Sequence, residues 1–349
     1  MDRSAADAFV CAKASGMLAK SFVGDKLNNL FSVSSLQELW HLVFKTEIPA
    51  IPEILLAKKI EEEAAEKFIK DYISLLQNYN KPQQILIENL RFYDYENIKE
   101  ITSVLSIAKE KQINIEKPKL VNIGNFSMLK YSAWPNIADI TANSILSWCN
   151  SIPDFSKKQE LDFRLDEQYI RNLWTCIEKS NISMDIKKII QDELIMNNVL
   201  WALRLRVYYS KTKDQIIPML ITSRKCKTYR EFKNDPLTKD TIKTFDFNIK
   251  SFSDWKNWKY AQFLNPNDIE NDLWEIDPRW IQQSFKVYVN KKILKQFHKN
   301  ICPTDKLFIW FKIKQFELDC IRTVAEGFRL GIESEQIKTF VGVSSVLEQ

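Results

Sequence analysis

A Ser-His-Asp triad or a zinc site in this chain would have to start from its two histidines, His41 and His298. Either needs one of them with a partner at the right spacing. His41 follows Trp40 in a short amphipathic stretch, and His298 stands near Lys295 and Lys299. Neither has a ligand-spaced neighbour, so both read as core-edge or solvent residues. The six cysteines (Cys11, Cys149, Cys176, Cys226, Cys302 and Cys320) form no C-x-x-C pair; the nearest two are 18 residues apart. They read as reduced cytosolic thiols that mostly fill core.

Phosphate chemistry fares no better. Neither G-x-x-x-x-G-K-[ST] nor G-x-G-x-x-G occurs, so nothing cradles a phosphate at a helix start. Gly327 and Gly331 have small-xxx-small spacing, which outside an apolar 20-mer reads as a helix end. Glu61, Glu62 and Glu63 are flanked by Lys58, Lys59 and Lys67, the pattern of a solvated helix face with ion pairs one turn apart. Trp255, Trp258, Trp274 and Trp280, interleaved with Lys256, Lys259 and Arg279, could stack single-stranded nucleic acid or could be core anchors. The expectation is no catalytic, cofactor-binding or metal-binding residue.

The elements are helices. Gly is scarce, at 6 of 349 residues, and 45% of the chain is apolar, which disfavours β folds and nucleotide-binding α/β folds. Leu56, Ile60, Ala64, Phe68, Tyr72 and Leu75 repeat at helical spacing and predict a helix over 54–76. Others are expected from Pro82 to about Lys111, over 186–209, and over 305–330. Linkers are expected at 112–124, 151–160, 210–241 and 265–278. Net charge is +5, from 50 basic and 45 acidic residues. That is compatible with an acidic protein partner or an anionic membrane surface and does not demand nucleic acid. No apolar run is long enough to span a bilayer, and no signal peptide is expected, since the stretch 8–12 is too short.

Two short patterns recur three times. The first is Phe31-x-Val33-x-x-Leu36-x-x-Leu39, Leu129-x-Tyr131-x-x-Trp134-x-x-Ile137 and Phe247-x-Ile249-x-x-Phe252-x-x-Trp255. It reads as an extended step entering a short helix. Ser35 with Glu38 and Ser251 with Asp254 have capping-box spacing, and Pro135 is expected in the first turn of the middle copy. The second pattern lies on the long helices, at 93–99, 195–204 and 316–322. Each copy sets one small polar group (Asn97, Asn198 or Cys320) on an apolar face. The first pattern recurs after 98 and 118 residues and the second after 101 and 122. Matching order and gaps argue for a tandem triplication, with divisions at 1–115, 116–225 and 226–349. Asn97 and Asn198 either fix register by bonding a neighbouring backbone or line a partly wet groove.

The segment from Phe92 through Lys99 resembles the Y-D-x-x-N-L-K helix of a rotary-ATPase family. That family is the C subunits of V-type/A-type enzymes, known by the letter d in eukaryotes. Glu317, Arg322, Ala325, Gly327 and Gly331 are similar to the family's C-terminal motif; its Arg-Asn pair is Asp319-Cys320 here. The resemblance implies an all-α fold of three similar helical domains in a pseudo-threefold funnel. It implies a non-catalytic, cofactor-free central-stalk part. That part would receive the D and F subunits of the central shaft, sit on the membrane proteolipid ring and transmit torque. It further implies a cytoplasmic, peripheral location, with no nucleic acid bound and no direct bilayer insertion. The competing reading is a helical scaffold or single-stranded nucleic-acid binder using residues 252–280.

Overall fold

The computed structural model describes residues 3–267, 274–299 and 302–341. Part of the expected 265–278 linker lies outside them. Among the described residues there is no strand, and the fold is all-α. In chain order the helices are α1 (Arg3–Leu18), α2 (Leu36–Phe44), α3 (Glu53–Leu76), α4 (Gln84–Lys111) and α5 (Ile137–Thr141). Then come α6 (Lys158–Lys179), α7 (Met184–Val207), α8 (Lys213–Ile216), α9 (Tyr229–Asn234) and α10 (Lys239–Lys243). The last four are α11 (Phe252–Trp255), α12 (Pro278–Lys299), α13 (Pro303–Arg329) and α14 (Ser334–Val341).

The chain divides into two compact units. One holds Met1–Lys13 and Ala65–Asn181, the other Ala14–Ala64 and Ile182–Gln349. In the first, α4 packs along α6. Tyr95, Ile98, Ile101 and Leu105 of α4 meet Leu165 of α6 in a core completed by Leu129, Ile137, Ile140 and Leu146. Lys99 reinforces the pair from the rim, its Nζ 2.5 Å from Asp166 and 2.7 Å from Glu96. In the second unit α7 packs on α12, α12 on α13, and α13 on α14 and α2. A side cluster joins Ala202 and Leu205 of α7 to Ile216, Leu220, Phe232 and Ile242.

Local signals set the helix ends. Ser35 Oγ accepts from Glu38 N–H at 3.2 Å and starts α2. Thr228 and Glu231 form a reciprocal capping box at α9. The cap of α5 is Asn136 rather than Pro135. Its Oδ1 accepts from Asp139 N–H, and Asn is among the strongest N-cap residues. Pro135 stands one residue outside the helix, after a cis peptide bond.

The four predicted helices correspond to α3, α4, α7 and α13, with ends within about two residues. Of the helices beyond that set, three are long: α1, α6 and α12. In α12 the buried side chains after Pro278 are Ile281, Phe285, Val289, Ile293 and Phe297, a single row at every fourth position with mostly polar residues between. In α6 the buried set is Leu165, Leu173, Trp174 and Ile177, again a minority among charges. Such narrow stripes give weak periodicity, although each large apolar side chain removed from water contributes about 1.5–3 kcal/mol.

Candidate functional site

The polar groups on the long helices are where this fold departs from plain apolar packing. Asn97 lies mid-way along α4, where the backbone groups are already bonded within the helix, so its amide must find a partner elsewhere. Its Nδ2 donates to Val121 O at 2.8 Å, and Val121 N–H donates back to Oδ1 at 2.9 Å. The side chain thus pairs with a peptide group as a neighbouring strand would. Nδ2 also donates to the Tyr131 hydroxyl at 2.8 Å. One turn earlier, Asp94 is fully buried. Its carboxylate accepts from Ser127 Oγ (2.7 Å), Met128 N–H (2.9 Å) and Tyr131 OH (2.7 Å). Burial pushes the Asp94 pKa above the ordinary carboxylate value, and the three donors pull it partly back. Asp94 and Asn97 together bind the segment 121–131 to the helix.

Asn198 repeats the clamp on α7. Its Nδ2 donates to Ile221 O at 2.8 Å, and Ile221 N–H returns a bond to Oδ1 at 2.9 Å. The captured residue lies 23 positions downstream, against 24 for Asn97. A second Nδ2 bond reaches Leu237 O at 3.0 Å. The register-fixing alternative therefore describes both asparagines. The carboxylate differs. The position equivalent to Asp94 is Ile195, and the loop supplies its own buried acid, Asp235. Asp235 accepts from Ser223 N–H (3.0 Å), Ser223 Oγ (2.5 Å) and Leu237 N–H (2.9 Å). Further along α7, Arg206 donates to Thr244 O and Phe247 O at 2.8 and 2.7 Å. Phe247 opens the third copy of the short pattern.

The third long helix has Cys320 at the clamp position. Burial pushes its thiol pKa up to about 12, so the sulfur stays protonated, and a thiol cannot form the two-bond amide pairing. Glu317, three residues earlier as Asp94 is to Asn97, takes over. It accepts from Phe22 N–H at 2.6 Å and pairs with Lys314, whose Nζ also donates to Ser21 Oγ at 3.0 Å. Arg322 Nε reaches Glu61 at 2.6 Å, and Ser334 Oγ donates to Val33 O at 3.3 Å. The segment held by the last long helix and by α14 therefore comes from residues 21–61 and includes the first copy of the short pattern. The short pattern in positions 129–137 is held by α4, that at 247 by α7, and that at 31–39 lies on the segment held by α13 and α14.

The glycines of α13 also have a structural task. Gly331 N–H bonds Phe328 O at 3.0 Å, Ile332 N–H bonds Gly327 O at 2.9 Å, and Gly331 has φ +69°. This is a Schellman ending, and its left-handed residue favours Gly. A Cβ on Gly327 would stand 2.4 Å from Ile337 Cδ1, so this Gly lets α14 pack directly on α13.

The remaining chemistry candidates are not brought together. His41 is exposed on α2, and the exposed His298 has its ring edge to Phe297. All six cysteines are unbridged. No group of three metal-ligating side chains occurs among the described residues. Glu61 reaches Arg322 and Glu63 pairs with Lys59. Trp255, Trp258 and Trp274 are buried. Trp255 meets Phe247 and Trp258 edge-on, and its Nε1 donates to Asn248 O. These three indoles are spent on packing, which leaves them no free face for stacking bases. Among the described residues no helix is long and apolar enough to cross a membrane.

The long helices of this all-α fold capture loops through buried Asn and carboxylate side chains. Residues 10–340 match the family ATP synthase (C/AC39) subunit, and the chain belongs to that family, the C/d subunits of V-type/A-type ATPases. The chain is also 26% identical over 347 residues to an uncharacterized protein of Treponema pallidum (strain Nichols), covering 98% of each chain.

Proposed function

We propose that this protein is the central-stalk component of a rotary ATPase. It receives the tip of the shaft, formed by the D and F subunits, and rests on the membrane proteolipid ring. It passes torque between ATP chemistry and ion transport without an active site of its own. Its location in this reading is cytoplasmic, peripheral to the membrane through the ring. The observation that carries the reading is the family match over 10–340.

A torque-bearing part needs loops that do not shear from helices. The paired backbone bonds at Asn97 and Asn198 supply such resistance, since sliding the loop breaks both at once. In this reading the chain forms three similar domains, 1–115, 116–225 and 226–349, in a pseudo-threefold funnel. Clamps that recur at nearly the same downstream spacing support it. The test is co-purification of the tagged chain from its native membranes. Recovery of both shaft subunits and the proteolipid is expected; recovery of neither shaft nor ring overturns the role.

A further inference from the structure

The loop that Asn198 captures continues into a one-sided cluster of charge on the surface. Between positions 224 and 239 stand Arg224, Lys225, Lys227, Arg230, Lys233 and Lys239, all exposed. Only two carboxylates share that stretch. Asp235 is buried beneath it, and Glu231 is turned onto the backbone N–H groups of Lys227 and Thr228 at 2.6 and 2.9 Å. Among the described residues, none of the six cations is paired with a carboxylate. The cluster continues at both ends. Lys239 borders a shallow groove of about 330 Å³ with Lys187 and Lys188; of its three acids, Asp192 and Asp240 already face Lys259 at 2.8 and 3.6 Å, and Asp185 accepts from Gln296 Nε2 at 3.3 Å. On the other side Lys213 lies 5.1 Å over the Tyr229 ring and 3.6 Å from Asp246, next to the exposed Asp214 in sequence. Tyr208 and Tyr209, just before it in sequence, are 51% and 69% exposed.

We propose that this face, residues 208–239, is an electrostatic docking surface for an anionic lipid bilayer. Three features favour lipid over a protein partner. Most of the cations are lysines, which protein interfaces deplete in favour of arginine and apolar anchors. They sit on a loop and a short helix rather than around a fitted pocket, and mobile headgroups need only a cluster of about 4–8 cations to gather beneath it. The exposed tyrosines have the amphipathic rings that settle at a headgroup boundary. Nucleic acid would share the charge. It would gain little from Tyr229, whose ring already carries Lys213. The surface is independent of the stalk role: a chain that met no shaft subunit would still partition onto vesicles.

The test is co-sedimentation of the purified full chain with phosphatidylcholine vesicles, with and without phosphatidylserine, over a salt series. Binding is expected only with phosphatidylserine and should weaken as salt rises. The variant Lys225→Gln/Lys227→Gln/Arg230→Gln/Lys233→Gln should lose about tenfold or more in partitioning. Lys58→Gln/Lys81→Gln/Lys111→Gln/Lys130→Gln, the same charge change at other exposed positions, should lose far less. Lys225→Arg/Lys227→Arg/Lys233→Arg should bind as the parent does. Equal loss in the two glutamine variants, equal binding to neutral vesicles, no binding at low salt, or tighter binding to a single-stranded oligonucleotide overturns the proposal.

Discussion

The first and last long helices solve one problem with different atoms. On α4 an aspartate and an asparagine one turn apart capture a loop that follows directly in sequence. On α13 the asparagine is replaced by Cys320, and Glu317 with Lys314 captures a segment 295 residues away. A neutral amide can satisfy both halves of a peptide group, whereas a carboxylate can only accept. The clamp at α4 therefore binds an N–H and a C=O together. At α13 Glu317 takes an N–H, and a neighbouring lysine carries the other contact. Each helix holds a segment against itself, and the side chains that hold it differ.

The contrast fails first, if it fails, at Glu317. Glu317→Ala takes from Lys314 its carboxylate, leaving it only Ser21 Oγ, and from the Phe22 N–H its acceptor; breaking a buried ion pair of this kind costs about 3–5 kcal/mol. A denaturant titration should show that loss; a change under about 1 kcal/mol would mean the site is not what holds residues 21–22. Asn198→Ala removes three buried bonds and strands Ile221, so about 3 kcal/mol is expected from the same measurement. Asn97→Ala should cost less, because Asp94 still grips the same segment. The reverse order would show that helix-borne carboxylates add nothing to the clamp.

Gly327→Ala probes the other side of α13. Ile337 must move to admit the methyl group, a loss of about 1–3 kcal/mol, and thermal denaturation should record it. Adding Ile337→Val should recover part of that loss. A double-mutant cycle on Arg322 and Glu61, both partly exposed, should give a coupling under about 1 kcal/mol.

The smallest effect is a slope with pH. Burial raises the pKa of Asp94 in the folded state above its unfolded value. Its protonated form is then favoured by folding. That contribution is complete below the unfolded pKa and is lost as pH rises through the folded one. Stability of the parent minus that of Asp94→Asn should therefore decline from about pH 4 upward. Paired melts across pH 4–7 would detect it, and a rising difference would contradict the sign.

Legibility in the sequence followed the width of the buried stripe. α3 shows Leu56, Ile60, Ala64, Phe68, Tyr72 and Leu75 at regular spacing, and all are buried. α12 buries only about every fourth residue, so its pattern is diluted by lysine and glutamine. The two asparagines stood out because a polar residue on an apolar face needs a partner. Their partners did not, since Val121 and Ile221 offer backbone groups that any residue carries. Both lie in stretches whose Pro and Lys content reads as linker. The capture of residues 21–61 by α13 left no local trace at all, because nothing near Phe22 reports a glutamate 295 positions on.

That distant capture matters while the chain is being made. At about 5–20 residues per second, the ribosome needs roughly 15–60 s to reach Glu317 after it has added Phe22. Throughout that interval Leu27, Leu30, Phe31, Leu36 and Leu39, buried in the finished fold, have no α13 to close over them. The nascent chain carries this early apolar segment without its α13 cover until almost its last helix, which makes that segment the natural place for a chaperone to hold.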